Sequence, residues 1–254
     1  MNILISGKKA ELTKFFLRKY KKNNIYFIED DFPNIDYDFF FHIGASKPTS
    51  PIIKIIYNNI IKNIFLLFVL KKYKINQSFF FSSISVYGKY KRTIHEKNQC
   101  HPTSLYSYSK FISEKILIKF FNKPLICLRL PAILLKNSDH YIASIINNLK
   151  NNKKIILGTN YNKKFNFFLH PLNLFNFLLN LKKNKKKKAI LNISSKKSQT
   201  LLQIVNFLKK KNKSTSEIQI DKNLLISSSN ISNNVAISNF NFKPWSSNKS
   251  LKNF

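Results

Sequence analysis

At 254 residues, 44% of them hydrophobic, the chain is long enough to bury a substantial core in one domain or one and a fraction, and too apolar to be a disordered tail. Lysine and arginine total 44 against 11 acids, a net charge of +33 that taken alone points to nucleic acid or an anionic membrane. Lysine, asparagine, isoleucine, phenylalanine and tyrosine, the residues of AT-rich codons, dominate throughout, while glycine totals only 4, so the charge reads as a solvated face rather than as a polyanion site.

In chain order, residues 2–6 predict a short apolar strand ended by Gly7 and running into a helical pattern to about residue 21, a start unlike a signal peptide. A second strand is predicted at 25–28, with Glu29, Asp30 and Asp31 at its C-terminal edge, and a third at 38–43. The stretch 51–72 is helical; its apolar runs, such as 64–70, fall short of the roughly 20 residues that span a bilayer, so no membrane span is expected and the protein is placed in the cytoplasm. Two more buried strands, 78–82 and 125–130, flank a helix at 106–121. Alternating strands and helices predict an α/β fold with a parallel, doubly wound sheet. The link from Asp30 to Asp38 is too short for a helix and a strand, so one strand is expected to be missing there.

Beyond Pro131 the pattern predicts a helix at 141–150, a strand at 154–157, a strand before His170 and a helix to 181. The lysine run 182–188 reads as an exposed loop, 189–193 as a strand returning to the main sheet, and 227–234, rich in serine and asparagine, as a loop. Thr200 and Gln203 have the spacing of a capping box that opens a helix. Cys100 falls in a loop and Cys127 in a buried strand, with neither metal spacing nor a disulfide framework; His95, His101 and His140 are scattered and also lack ligand spacing.

Two segments carry chemistry. Residues 81–88 read Phe-Ser-Ser-Ile-Ser-Val-Tyr-Gly, and 102–110 read Pro-Thr-Ser-Leu-Tyr-Ser-Tyr-Ser-Lys. Tyr106 and Lys110 are at i and i+4, so on a helix their side chains leave the same face. An adjacent ammonium favours the phenolate and lowers a tyrosine from its ordinary value near ~10, which would let Tyr106 exchange a proton with a substrate hydroxyl. Ser83 could hydrogen-bond the same substrate oxygen. The set suits hydride-transfer chemistry.

These motifs resemble the extended short-chain dehydrogenase/reductases, the group of NAD-dependent nucleotide-sugar epimerases, dehydratases and reductases. Tyr-x-x-x-Lys alone is weak in a chain so rich in both residues, but Ser-Ser-x-Ser-Val-Tyr-Gly at the right distance ahead of it is specific. The resemblance extends through Asp38-Phe-Phe-Phe-His-Ile-Gly-Ala45, Tyr57-Asn-Asn-Ile-Ile61, Glu96, Glu114, Leu128-Arg-Leu-Pro131, Phe168-Leu-His170 and Phe240-Asn-Phe-Lys-Pro-Trp245. It implies a dinucleotide-binding Rossmann domain over 1–130 with a strand near 189–193 returning to it, and a trimmed substrate-binding region over 131–254. It implies Tyr106 as acid and base, Lys110 as the group that lowers its pKa and holds the nicotinamide ribose, and Ser83 as the group that orients the oxygen. Asn59 would lie near the nicotinamide, with Lys62 and Asn63 in place of the usual Gly-Thr, and His42 would be structural. A nucleotide-sugar substrate, no metal, no specific nucleic acid and a homodimer complete the expectation.

The chain also departs from the pattern. Of the three glycines of the cofactor loop only Gly7 is present, the others being Ala10 and Thr13. Ala10 is expected to crowd the phosphate site and resist positive φ, and Thr13 to widen the helix-to-sheet contact. Glu29 or Asp30, about 22 residues after Gly7, would bind the adenosine ribose and favour NAD, with NADP left open. Ile84 and Ser85 stand where the sugar 4,6-dehydratases carry acids, which disfavours elimination, and Leu130-Pro131-Ala132 leans toward the reductases. The expected activity is reduction of a sugar ketone or epimerisation through a transient ketone. Two readings compete with it: a cofactor-impaired relative that binds a nucleotide or partner protein without turnover, and a basic nucleic-acid binder, which rests on charge alone.

Overall fold

The computed structural model describes residues 1–20, 23–89, 92–135, 140–159, 161–181, 188–196, 199–224 and 230–252. From the N-terminus come β1 (Asn2–Ser6), α1 (Glu11–Lys19), β2 (Asn24–Phe27) and β3 (Tyr37–His42). A long helical stretch follows: α2 (Ile52–Ile56), a π-helical turn at Tyr57–Ile61, and α3 (Lys62–Val69). Next are β4 (Ile75–Ser83), α4 (Leu105–Phe120), β5 (Leu125–Leu130), β6 (Ala132–Ile133), α5 (Tyr141–Lys150), β7 (Ile155–Gly158) and β8 (Phe168–Leu169). The chain continues through α6 (Pro171–Asn180), β9 (Lys188–Asn192), α7 (Leu201–Lys211), β10 (Ile218–Asp221), α8 (Asn234–Phe240) and α9 (Ser247–Lys252).

Six strands form one sheet in the order β2-β1-β3-β4-β5-β9, with every pairing from β2 to β5 parallel. This is the expected doubly wound α/β sheet. Between β2 and β3 the chain makes no helix or strand, so β2 is the edge. The central strands are covered on both faces, and β5 is buried along its whole length; that is why they read as unbroken apolar runs rather than alternating ones. On one face Leu4, Phe40, Phe80 and Cys127 pack against Leu66 and Leu70 of the long helical stretch and Leu117 of α4. On the other, Phe16 of α1 meets Phe41 and Phe81 edge-on at 5.8 and 6.3 Å.

The described chain divides into two compact units: Met1–Gly88 with Asn98–Leu130 and Leu178–Leu191, and Lys89–Lys97 with Pro131–Phe177 and Asn192–Phe254. The second has its own core, built from Ile142, Ile145 and Leu149 of α5, Leu157 of β7, and Ile204, Val205 and Leu208 of α7. Thr200 caps α7 with a reciprocal Gln203 bond, 2.9 and 3.2 Å, so the predicted capping box is present. Of the two expected loops, 182–188 and 227–234, residues 182–187 and 227–229 lie outside the described residues.

One expectation changes. The helical stretch Ile52–Lys72 is continuous over 21 residues and holds an 18-residue window of mean hydropathy 1.6, long and apolar enough by length and composition to cross a membrane. Asn58, Asn59, Lys62 and Asn63 divide the sequence into short apolar runs, which hides this. Within the fold the stretch is anchored by its polar residues, since Asn59 and Asn63 are buried and hydrogen-bonded to neighbouring elements.

Candidate active site

The helix α4 begins at Ser104, whose side chain accepts the Ser107 N–H while the Ser107 hydroxyl oxygen accepts the Ser104 N–H at 2.9 Å. This serine pair fixes the start and phase of the helix. Tyr106, Lys110 and Glu114, each four residues apart, then grip three successive residues of β4. Tyr106 hydrogen-bonds Ser83, Lys110 donates to the Phe81 carbonyl at 2.6 Å, and Glu114 accepts from the Ser82 hydroxyl. Behind them Arg129 of β5 makes a buried bidentate pair with Glu114, its shortest contact 2.6 Å, and lies over the Tyr87 ring at 4.6 Å.

Ser83 is held in turn by Ser85. The Ser85 N–H and hydroxyl both donate to the Ser83 oxygen, at 3.1 and 2.9 Å, and so occupy its two lone pairs. The Ser83 hydrogen is therefore directed to the Tyr106 oxygen, which leaves the Tyr106 O–H free to face a ligand. A donor at that oxygen favours the phenolate, opposing the effect of burial. The serine two residues after Ser83, in a short turn, was the available signal for this support.

The sequence expectation for Lys110 is corrected. Its ammonium is not paired with the phenol but sits on the Phe81 carbonyl and over the Phe80 ring, 4.3 Å from the centroid, two partners that satisfy a cation in a dry site. Burial pulls Lys110 down to about 8, with Glu114 opposing, and burial holds Tyr106 above its ordinary value. Tyr106 is thus held as a neutral phenol rather than a ready phenolate.

At the same carboxyl end of the parallel strands, Gly7 has φ +101 and a Cβ there would lie 2.5 Å from the Gly44 nitrogen, so this turn admits glycine alone. Ala10 is the N-cap of α1 with φ −69 and ψ 140, so the expected φ penalty is absent; only its methyl is added. No side chain caps α1, which leaves its first-turn N–H groups oriented toward an anion. Thr13 is fully buried and donates to the Gly7 carbonyl at 2.8 Å, tying the turn shut. Glu29 accepts the Gly7 N–H at 2.6 Å, while Asp30 pairs with Lys8 at 2.6 Å. A constrained glycine turn, an uncapped helix start and a carboxylate at the end of β2 fit a dinucleotide.

Asn59 lies on the π turn, buried, its amide accepting the Ser46 N–H at 2.8 Å and donating to Ser109 at 2.9 Å. His42 is buried between β1 and α3, and burial, with the nearby Lys110 charge second, pulls it down to about 3. Cys127 is buried and Cys100 partly so, both as free thiols. Among the described residues no cluster of histidine, cysteine or acid could hold a metal.

The model of the NAD dependent epimerase/dehydratase family matches residues 28–194. The chain belongs to that family. None of the curated proteins matches the sequence significantly. Solved structures of similar fold include the UDP-glucuronic acid 4-epimerase from Bacillus cereus in complex with NAD, at 18% identity and TM-score 0.82, covering 99% of this chain and 96% of that one. RMD from Pseudomonas aeruginosa complexed with NADPH is similar at 17% identity and TM-score 0.80, covering 99% and 96%. So is the dTDP-glucose 4,6-dehydratase from Bacillus anthracis in complex with NAD, at 17% identity and TM-score 0.79, covering 100% and 94%. At these identities the likeness is one of fold, and it spans several reactions of the epimerase/dehydratase family.

Proposed function

We propose that this member of the epimerase/dehydratase family is an NAD(H)-dependent enzyme that acts on a nucleotide-activated sugar, reducing a keto group or epimerising through a transient ketone. The observation that carries this reading is the α4–β4 constellation: Tyr106 bonded to Ser83, its own O–H free, and a buried Lys110 one turn on. Residues 1–130 and the strand β9 would form the dinucleotide-binding part, and 131–254 the sugar-nucleotide part. The pyrophosphate would lie over the turn from Gly7 to Thr13, including Ala10, and Glu29 and Asp30 would meet the adenosine ribose. Lys110 would hold the nicotinamide ribose, with Asn59 supporting that side. When bound, the nicotinamide supplies or accepts the hydride. Tyr106 moves the proton at the sugar hydroxyl, Ser83 orients the phenol, and the Phe80 ring beneath Lys110 excludes water on that side. Two carboxylates at the ribose favour NAD over NADP, although the Lys8 pairing to Asp30 leaves room for NADP. Removal of water from the sugar is disfavoured because Ile84 and Ser85 supply neither acid nor base. The protein would act as a homodimer.

One observation favours the alternative of a binding protein without turnover: Glu29 already occupies the Gly7 N–H. Calorimetry with NAD and NADH tests the enzyme reading first, since it expects binding and the absence of binding would overturn it. A panel of nucleotide sugars and their 4-keto-6-deoxy forms, followed by NADH absorbance and product analysis, then tests the reaction. Tyr106→Phe should abolish turnover with cofactor affinity nearly unchanged, and activity surviving within about tenfold would remove Tyr106 from its role.

A further inference from the structure

A line of buried polar groups runs inside the first unit from the end of β1 to α4. Ser6, the residue before Gly7, meets His42 Nδ1 at 2.7 Å; His42 Nε2 meets the Asn63 amide oxygen; and Asn63 Nδ2 donates to the Asn59 carbonyl. The Ser113 hydroxyl of α4 reaches that same carbonyl, Asn59 Nδ2 donates to Ser109, and Ser109 donates to the Tyr106 carbonyl at 2.8 Å. His42, Asn59 and Asn63 are 4%, 2% and 1% exposed, so each bond is made in the absence of competing water.

The direction of every proton along this line follows from one contact. A carbonyl only accepts, so the nitrogen side of the Asn63 amide faces Asn59 and its oxygen faces His42. His42 must then carry its proton on Nε2, and Nδ1, left as an acceptor, takes the Ser6 hydroxyl hydrogen. The imidazole is flanked by Phe40 and Phe80 at 6.0 and 5.3 Å and stays uncharged. The charged groups acting on it, Lys110 from α4 and Lys62 from α3, both disfavour a second proton. The π turn explains how a helix residue can join the line, because its widened backbone lets the Asn59 carbonyl receive side chains from α3 and α4.

We infer that Asn63 is a positioning residue: with His42 on one side and the Asn59 carbonyl on the other, it fixes the helix bearing Tyr106 and Lys110 to the strand end bearing the Gly7 turn. The position is one where this chain departs from the usual Gly-Thr, and asparagine alone among small residues offers a donor and an acceptor far enough apart to bridge the two. The role matters for catalysis through the assignment of Tyr106 and Lys110 made above. The measurements, however, need neither substrate nor cofactor, so failure here and failure of that assignment are distinguishable.

The test uses the full chain labelled with 15N-histidine. His42 should show the Nε2–H tautomer, unchanged between pH 4 and 8, and Asn63→Leu should convert it to a tautomer mixture. In the same variant, amide hydrogen exchange across 105–113 should accelerate at least tenfold, with 125–130 unaffected. Asn63→Gln, which keeps both polar ends, should restore most of the protection; if Asn63→Leu does not fold, Asn63→Ser, with one hydroxyl, should give intermediate protection. An Nδ1–H tautomer in the parent chain, or unchanged exchange in the substituted one, would overturn the inference.

Discussion

Lys110 illustrates what a single residue gives up for a site. Its folded-state pKa, near 8, is below the unfolded value of ~10.4, so between those values the unfolded chain binds more protons and stability rises with pH. Below pH 8 the buried ammonium is a standing cost. Lys110→Met should therefore raise stability at pH 7 by up to roughly 3 kcal/mol while abolishing turnover, and should flatten the rise between pH 8 and 10.5 in urea titrations. His42 works in the acid range. Held uncharged to about 3 when folded, and titrating near ~6.5 when unfolded, it makes the folded state lose stability as pH falls through that window. Comparing pH 7 with pH 4.5, His42→Gln should lose roughly 2–3 kcal/mol less than the parent chain. Equal losses would show that the imidazole is not the group responsible. Glu114→Gln should be costly for another reason. It strands the Arg129 cation in a dry site, an effect of about 3–5 kcal/mol, visible in thermal unfolding.

At the scale of elements, strands and helices were readable because parallel strands buried on both faces leave apolar runs, and because caps have fixed spacing. Ser104→Ala removes the start of α4 and should cost about 1 kcal/mol, with a larger loss of helix protection around Tyr106 than elsewhere. What sequence could not supply was the choice among partners. The i, i+4 spacing puts Tyr106 and Lys110 on one face of α4, yet the ammonium turns to the Phe81 carbonyl, a group contributed by β4 and set by packing. Likewise the family's glycine predicts a penalty at Ala10, but the backbone there is extended and any residue adopts it. The Asn63 bridge was invisible for the same reason. Its two partners come from β3 and the preceding helical turn, and only the folded chain assembles them.

For the whole molecule, the helix Ile52–Lys72 presents an exposed apolar side. Ile53, Tyr57, Ile61, Phe65 and Phe68, spaced three or four apart, stand out from it, Ile53 at 83% and Phe68 at 73% exposure, and Leu105, Tyr108 and Ile112 line the exposed face of neighbouring α4. A contiguous exposed apolar face marks an interaction surface, and a second copy offers the same face in return. Phe65→Lys with Phe68→Lys should convert a dimer to a monomer in light scattering with α-helical content unchanged. A monomeric parent chain would remove the homodimer, and capture by anionic vesicles would reassign the face to membrane binding.

Gly7 and Gly88 carry a last consequence. A Cβ at Gly88 would fall 1.9 Å from the His101 carbonyl oxygen, as one at Gly7 would strike Gly44, and both have positive φ. The fold thus acts as a sieve on a composition that drifts toward lysine, asparagine and phenylalanine. It passes alanine and threonine where the main chain is extended or helical, and it stops substitution where two backbones touch. In a chain this poor in glycine, Gly7, Gly44 and Gly88, three of the four, each mark a point of main-chain contact, and the dinucleotide turn can be located by what the drift was unable to erase.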